Sequence, residues 1–589
     1  MSHLIVEEAG MVDITRPWVV DTPLSAKYPI YTRSNVAEVT PTPATPLMWT
    51  SIGGLPGERE WRHALVEFGA FDLDEFDPDR IEIQGLIHGY IYLNVSIQRI
   101  FGVRMPGATP DLIDQTYFGN RQVVRPYEPR PGDDDPRFTE RIGASIGKLV
   151  QGDGAAGFED DVATAARVRA ERPDLRAASE QELLARFNDV LEGPYRPVVG
   201  KHYALIYESS VATGMLAQAL APLEDKTLEV RLISGLGGVD SATPSYALWD
   251  LSRLVTASAT LTAEFDSGVP GLLDRLRKLD APDVREFLDR FARFQREYGS
   301  RGTEEWEICP PTWETHPGLP LAMVDRMRFQ PDDADPKPRA RKLAEERVAL
   351  EKEVRARLSG SPEALGAFDT ASRLVARIMP TRERSKTNAV RMLHEARMAA
   401  QELGRRYAEA GHFARLDDIS MVRRDELDAL VAGPASFAPV VAERRAWYER
   451  LCELDPPFIV DGTPPPVETW PEAKEPAVDV ARSGDVLTGL AACPGRVTGP
   501  ARVLHDPADA AELQPGEILV ARVTDPGWTP LFVSAAGVVV SVGATLSHAA
   551  IVSRELGIPC VVGVRHASKR IKDGMVLTVD GTAGVVTVE

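Results

Sequence analysis

The sequence predicts a multidomain protein: a mainly α domain over residues 1–460, a Pro-rich linker over 461–487 and a C-terminal β/β/α domain over 488–589. Three observations predict it. At 589 residues the chain is too long for one hydrophobic core, and its length suggests two to four domains. From Gly489 onward the texture becomes Gly- and Val-rich, with short apolar runs over 517–523 and 537–542. Those runs are cut by the turn signals Gln514-Pro515-Gly516, Asp525-Pro526-Gly527, Lys572-Asp573-Gly574 and Asp580-Gly581. Between the two textures lies DGTPPPVETWPEAKEP, acidic and Pro-rich, which reads as a semi-rigid linker.

Within the α domain, residues 282–298, 339–358 and 388–407 carry strong helix formers in amphipathic or mixed-charge patterns, so helices are expected there. PGDDDP (131–136) and QPDDADPKPRAR (330–341) are expected to be exposed loops. Among the C-terminal strands a single helix is expected over 547–556, stopped by Gly557 with Pro559 beyond it. Ala549, Ile551, Val552 and Leu556 would anchor this helix on the sheet, with Arg554 and Glu555 facing outward.

A net charge of -20 argues against nucleic acid and against an anionic membrane, since either partner requires a basic face. No window approaches 18 apolar residues and the N-terminus does not read as a signal peptide, so a cytoplasmic protein is expected. The four cysteines, Cys309, Cys452, Cys493 and Cys560, lack metal-site or disulfide spacing, and no metal is expected.

The chemistry points to His548. In GATLSHAAIVSRELGIPCVVG (543–563) a Gly-x-Thr turn leads into the helix, and His548 sits in its first turn. Free backbone N–H groups and the positive end of the helix dipole stabilise an anion there. Gly543 leaves room for a phosphate turn, and Thr545 and Ser547 can cap the helix and donate to phosphate oxygens. An imidazole with an ordinary pKa near 6.5 is mostly neutral in a cell and is a competent nucleophile toward phosphorus. This string resembles the phosphohistidine signature of the phosphoenolpyruvate-utilising (dikinase) family, as CPGRVTGPARVL (493–504) and ELQPGEILVARVTDPGWTPLF (512–532) resemble the rest of its mobile domain. Ala544 departs from that pattern, standing where the family usually has a second glycine.

The resemblance implies a swivelling phosphohistidine domain over 488–589 and, over 1–460, the acceptor-binding domain of rifampicin phosphotransferases and aryl (phenyl) phosphate synthases. YTRSNVAEVTPTPATPLMWT (31–50) is similar to that family's Arg-x-Asn-x-x-Glu segment, here Arg33, Asn35 and Glu38. YGSRGTEEWEICPPTWETHP (298–317) is similar to its Arg-Gly-x-x-Glu loop, here Arg301, Gly302 and Glu305. RERSKTNAVRMLHEAR (382–397) is similar to a helix whose Arg and Lys face the transferred phosphate.

That helix also has an independent argument. On a 3.6-residue wheel Arg382 and Lys386 share the apolar face of Ala389, Leu393, Ala396 and Ala400, opposite Arg384, Asn388, Arg391, Glu395 and Glu402. Two cations on an apolar face are costly unless an anion meets them: a phosphoryl group, or a structural carboxylate such as Glu383 or Glu305. His202 reads as a packing residue, and His394 and Arg397 as flank residues at the surface.

No ATP-grasp segment is recognisable before Thr32 and no pyruvate-binding barrel after the mobile domain. The resemblance therefore implies a phosphohistidine and acceptor-binding subunit of a two-chain phosphotransferase. ATP and Mg2+ would be bound by a separate ATP-grasp chain, and a small hydroxyl-bearing aromatic compound would accept the phosphoryl group from His548. Two other readings stay open: a rifampicin-like antibiotic phosphotransferase subunit, and a phosphocarrier or regulatory module with no small acceptor.

Overall fold

The computed structural model describes residues 15–118, 123–152, 158–225, 227–473, 478–507, 513–544 and 547–589. It is mainly helical before residue 459 and a sheet domain after 485, in the expected order. No described helix is long and apolar enough to cross a membrane.

The helical region also holds a small antiparallel sheet that the sequence did not announce. Strands β1 (Ile30–Thr32), β2 (Gln84–Ile87), β3 (Tyr90–Asn94) and β4 (Ile459–Asp461) lie in the order β2-β3-β1-β4. β1 and β3 are buried throughout, so they show no alternation of apolar and polar residues to read. β4 runs into the expected linker. Beyond it Val467 and Trp470 are buried, so this stretch packs on the helical region instead of standing free.

Four helices place the site: α1 (Arg196–Leu220), α2 (Thr243–Ala257), α3 (Pro336–Leu358) and α4 (Pro362–Glu409). The helix expected over 282–298 forms with those bounds. α3 starts earlier than expected because Asp335 caps it, accepting from the Lys337 N–H, and this takes the end of the supposed loop 330–341 into the helix. Asp135 caps another helix in the same way at Pro136.

α4 is 48 residues long, about 70 Å at 1.5 Å per residue. Pro380 interrupts its ladder, and Thr381 Oγ1 donates to the Arg377 carbonyl at 2.6 Å beside the break. The wheel drawn from the sequence was too simple, because α4 is packed on several sides, by α1 and by the helices Phe158–Ala170 and Glu180–Val190. Asn388 and Glu395 are fully buried on the supposed outer face, and so are His394 and Arg397, which were expected at the surface. Glu395 survives burial because it is paired: Arg172 donates to both of its oxygens at 2.7 and 2.6 Å.

The C-terminal domain is an eight-stranded mixed sheet. Its strands are β5 (Val486–Thr488), β6 (Leu490–Cys493), β7 (Arg496–Leu504), β8 (Ile518–Ala521), β9 (Gly537–Val540), β10 (Cys560–Val562), β11 (Val576–Asp580) and β12 (Val585–Val588), in the order β5-β12-β11-β7-β8-β9-β10-β6. The run β7-β8-β9-β10 is parallel, and β8, β9 and β10, buried throughout, read as continuous apolar runs. Helices α5 (Thr529–Ser534) and α6 (His548–Leu556) cover it. α6 is capped by Ser547, which accepts from the Ala550 N–H, and ends at Gly557, whose φ of 67° is the left-handed stop expected there.

The domain is docked on the helical region, and one hydrophobic core runs through both, joining Trp249, Leu321 and Phe294 to Leu531, Phe532 and Val552. This corrects the reading of Arg554 and Glu555 as outward-facing: both are buried. Arg554 Nε donates to the Ala492 carbonyl at 2.6 Å. The Glu555 carboxylate accepts from the N–H groups of Leu236 and Gly237 at 3.3 and 3.1 Å, across the domain boundary. Burial raises the Glu555 pKa to about 7. At pH 8, therefore, Glu555→Ala removes a charged acceptor shared by two amides, a loss of about 1.5–3 kcal/mol. X-ray scattering should report a larger radius of gyration for that variant than for wild type, with an unchanged circular dichroism spectrum.

Candidate active site

A cavity of about 360 Å³ opens where the helical region meets the sheet domain, and His548 is on its wall. The ring is partly buried and held from both ends: Thr524 Oγ1 lies 3.2 Å from Nδ1 and Thr529 Oγ1 lies 2.9 Å from Nε2. The Phe532 ring meets it edge-on at 5.9 Å. A hydroxyl can donate to a bare ring nitrogen or accept from an N–H, so this frame holds the ring in either tautomer. Burial, then the charges of Lys386 and Arg301, push its pKa well below 6.5. The imidazole is neutral, as a nucleophile must be.

Around it, Ser547, Glu38, Asn35, Arg382, Lys386 and Glu305 line the same cavity. The Ala544 N–H meets the Glu38 carboxyl from the turn before α6. Gly543 stands one layer back: a Cβ there would lie 3.0 Å from Val562 Cβ, so close packing demands the glycine. Thr545 lies outside the described residues. Arg301 does not line the cavity but braces it from behind, donating to Glu305 Oε1 at 3.0 Å and to Thr387 Oγ1 at 2.8 Å.

The three separate stretches are brought together by buried bonds. Glu307 accepts from Thr45 N at 3.0 Å and Thr45 Oγ1 at 2.8 Å, tying residues 31–50 to the 301–307 loop. Arg397 reaches from α4 to the carbonyls of Glu305 and Glu307, at 2.7 and 3.1 Å, and locks that loop to the helix. Arg33 holds its own segment by donating to the Ile91 and Thr40 carbonyls at 2.8 and 2.9 Å.

The structural account of the Arg382–Lys386 pair is complete for Lys386 and incomplete for Arg382. Lys386 Nζ has a structural partner, Glu305 Oε2, at 3.3 Å. Arg382 reaches Glu383 only at 3.9 Å, and its Nε and Nη1 are buried without a hydrogen-bond partner among the described residues. Burial raises Glu38 to about 8, with Arg382 and Lys386 opposing, so its carboxyl is mostly protonated near neutrality. Arg301 is flanked by Glu305, Asp240 and Glu383, and Lys386 by Glu305, so the incomplete bonding in this cluster is at Arg382.

Other groups at the site had no role assigned from the sequence. Thr524 and Thr529 flank the Asp-Pro-Gly-Trp turn, and their shared turn was the available signal. His202, read as packing, is buried but also lines the cavity, with Ile206, Ser209 and Ser210 on the same face of α1. Polar residues at helical spacing on an apolar face could have revealed it. Trp61, Tyr117, Tyr195, Tyr203 and Trp306 give the cavity an aromatic wall.

Residues 201–383 match the family described as the rifampicin phosphotransferase fourth domain, and residues 513–584 match the mobile domain of PEP-utilising enzymes. The chain is similar to prodigiosin synthesizing transferase PigC of Serratia marcescens, 28% identical over 531 residues, 86% of this chain and 57% of that protein. It is similar to the rifampicin phosphotransferase of Streptomyces sviceus, 30% identical over 378 residues, 62% of this chain and 41% of that protein. An uncharacterized protein of Mycobacterium tuberculosis is 35% identical over 364 residues, 61% of this chain and 38% of that protein. The chain thus spans between 38% and 57% of the length of these curated relatives.

Two outcomes follow from the charge arrangement. Glu305→Ala strands the buried Arg301, and loss of one partner of a buried pair costs about 3–5 kcal/mol, so thermal unfolding should move down by several degrees. Sulfate, whose charge is constant over the range, should bind about tenfold more weakly at pH 9 than at pH 7.5. Glu38 is neutral below about 8 and an opposing anion above it. Calorimetric titration of Glu38→Gln should remove most of that difference.

Proposed function

We propose that this chain is a phosphotransferase of the phosphoenolpyruvate-utilising family that carries a phosphoryl group on His548 and delivers it to the hydroxyl of a small phenolic compound. The observation that carries the reading is a shared space: the histidine, Arg382 and an aromatic wall bound one cavity. The phosphoryl group comes from ATP, held with Mg2+ on a separate ATP-grasp chain and cleaved to AMP and phosphate. The C-terminal domain turns about the 462–485 segment between that chain and the docked pose.

In the docked pose a phosphoryl group on His548 faces the Arg382 guanidinium, the Lys386 ammonium and the Ser547 hydroxyl, which line the same cavity. Neutralisation by such preorganised donors is most of what phosphoryl transfer requires. The acceptor oxygen attacks phosphorus as the bond to the His548 ring nitrogen breaks, and the electron pair returns to the imidazole. A phenol suits this site because its pKa near 10 puts the oxyanion within reach, and the adjacent cations lower it further.

The wall favours a single aromatic acceptor over a large polyketide. It presents six aromatic rings, Tyr207 joining the five already named, but only Met48 and Leu93 of the flexible residues a broad antibiotic pocket would use. The antibiotic reading draws on the match to the rifampicin phosphotransferase domain. A phosphocarrier without a small acceptor has no use for a cavity beside Arg382. With an ATP-grasp partner, ATP and a panel of phenols, wild type should release AMP and aryl phosphate in equal amounts. His548→Ala should abolish aryl phosphate, and Arg382→Ala should lower kcat by about 10²- to 10³-fold. Unchanged transfer by His548→Ala would overturn the reading.

A further inference from the structure

His202 has a bonding pattern that a packing residue does not need. Its Nδ1 lies 2.9 Å from Ser385 Oγ. The single Ser385 hydroxyl proton is already used, donated to the Arg382 carbonyl at 2.7 Å. Ser385 Oγ can therefore only accept from the ring, so Nδ1 carries the proton and Nε2 is bare. Nε2 has no hydrogen-bond partner among the described residues, and His202 lines the cavity. Trp306 stacks beside the ring at 6.0 Å, and Tyr203 flanks it at 6.2 Å, so its orientation is held.

We infer that His202 Nε2 is the hydrogen-bond acceptor and proton acceptor for the phenol hydroxyl, an inference that rests on the phosphotransfer reading of this cavity. Other lining groups are poorer candidates. Glu38 accepts from the Ala544 N–H and Lys386 is paired with Glu305. Glu304 is bonded to Thr42 Oγ1, and Asp525 accepts from the Glu304 and Gly527 N–H groups.

The charge environment makes the acceptor conditional. Burial first, then Arg382 and Lys386, hold the His202 pKa down to about 3, so without phosphate the ring orients a hydroxyl and takes no proton. A phosphoryl dianion beside the two cations cancels their repulsion toward an imidazolium at His202. The ring thus becomes a competent base only when there is something to transfer. The step balances with the phosphorylated ring protonated on its other nitrogen, where a threonine hydroxyl accepts: the O–H proton moves to His202 Nε2, an oxygen pair forms the O–P bond, and the N–P bond pair returns to His548 as a neutral imidazole.

The test uses the full chain, phosphorylated at His548 with phosphoramidate and then given phenol. Wild type and His202→Ala should show equal phosphohistidine by phosphorus NMR. His202→Ala should form phenyl phosphate about 10²- to 10³-fold more slowly, with added imidazole restoring some of the rate. Transfer by His202→Ala within about threefold of wild type, or a loss that imidazole leaves unrestored, overturns the inference. Nitrogen-15 NMR of the wild-type histidines decides it independently of folding in the variant: a proton on Nδ1 of His202 is expected, and a proton on Nε2 overturns the assignment. A wild-type protein that forms no phosphohistidine, or makes no phenyl phosphate from it, counts instead against the phosphotransfer reading, and the nitrogen-15 result then decides the assignment of His202.

Discussion

The site depends on a guanidinium whose hydrogen bonds the protein leaves incomplete. α4 crosses the helical region enclosed on several sides, and an enclosed helix can hold ionic groups only where partners are built around it. Around the site such partners are present: Arg172 on Glu395 and Glu305 on Lys386. At Arg382 two buried nitrogens lack one, and only Glu383 approaches, at 3.9 Å. That guanidinium belongs to a residue of the cavity wall, which is why the proposed reading centres on it.

The same economy explains the 301–307 loop. Its Glu305 is shared between Arg301 and Lys386, its carbonyls are held by Arg397, and its Glu307 holds Thr45. These bonds tie the loop to stretches far apart in the chain, so displacing one of them disturbs the whole cluster. Such coupling sets the geometry of Lys386 relative to His548 more tightly than the loop alone could.

What was legible in the sequence follows from this arrangement. The C-terminal domain was readable because its rules are local: turn dipeptides separate short apolar strands, and the cap, histidine and Gly557 of α6 lie within a few positions of one another. The Arg382–Lys386 spacing was readable for the same reason. Glu305 and Glu383 could be named as candidate partners for those cations, but the full cluster could not be read, since Glu305, Arg301 and Glu38 come from stretches tens to hundreds of positions away. Only a family resemblance could suggest that they meet. Arg554, Glu555, His394 and Arg397 misled because polarity usually marks a surface, whereas here each is polar in order to satisfy a buried neighbour. His202 needed knowledge of Ser385 across a helix–helix contact, which no periodicity encodes.

The small antiparallel sheet bears on the movement proposed for the C-terminal domain. β1 pairs with β4 on one side and β3 on the other, and it leads directly into Arg33 and the cavity wall. The chain stays bonded to the helical region as far as Ala473, and Ala481 is already bonded to Arg570 of the sheet domain. Fully extended, residues 474–480 between them span at most about 25 Å. A leash that short, pegged near the chamber's edge, would make the proposed swing a pivot about a fixed point.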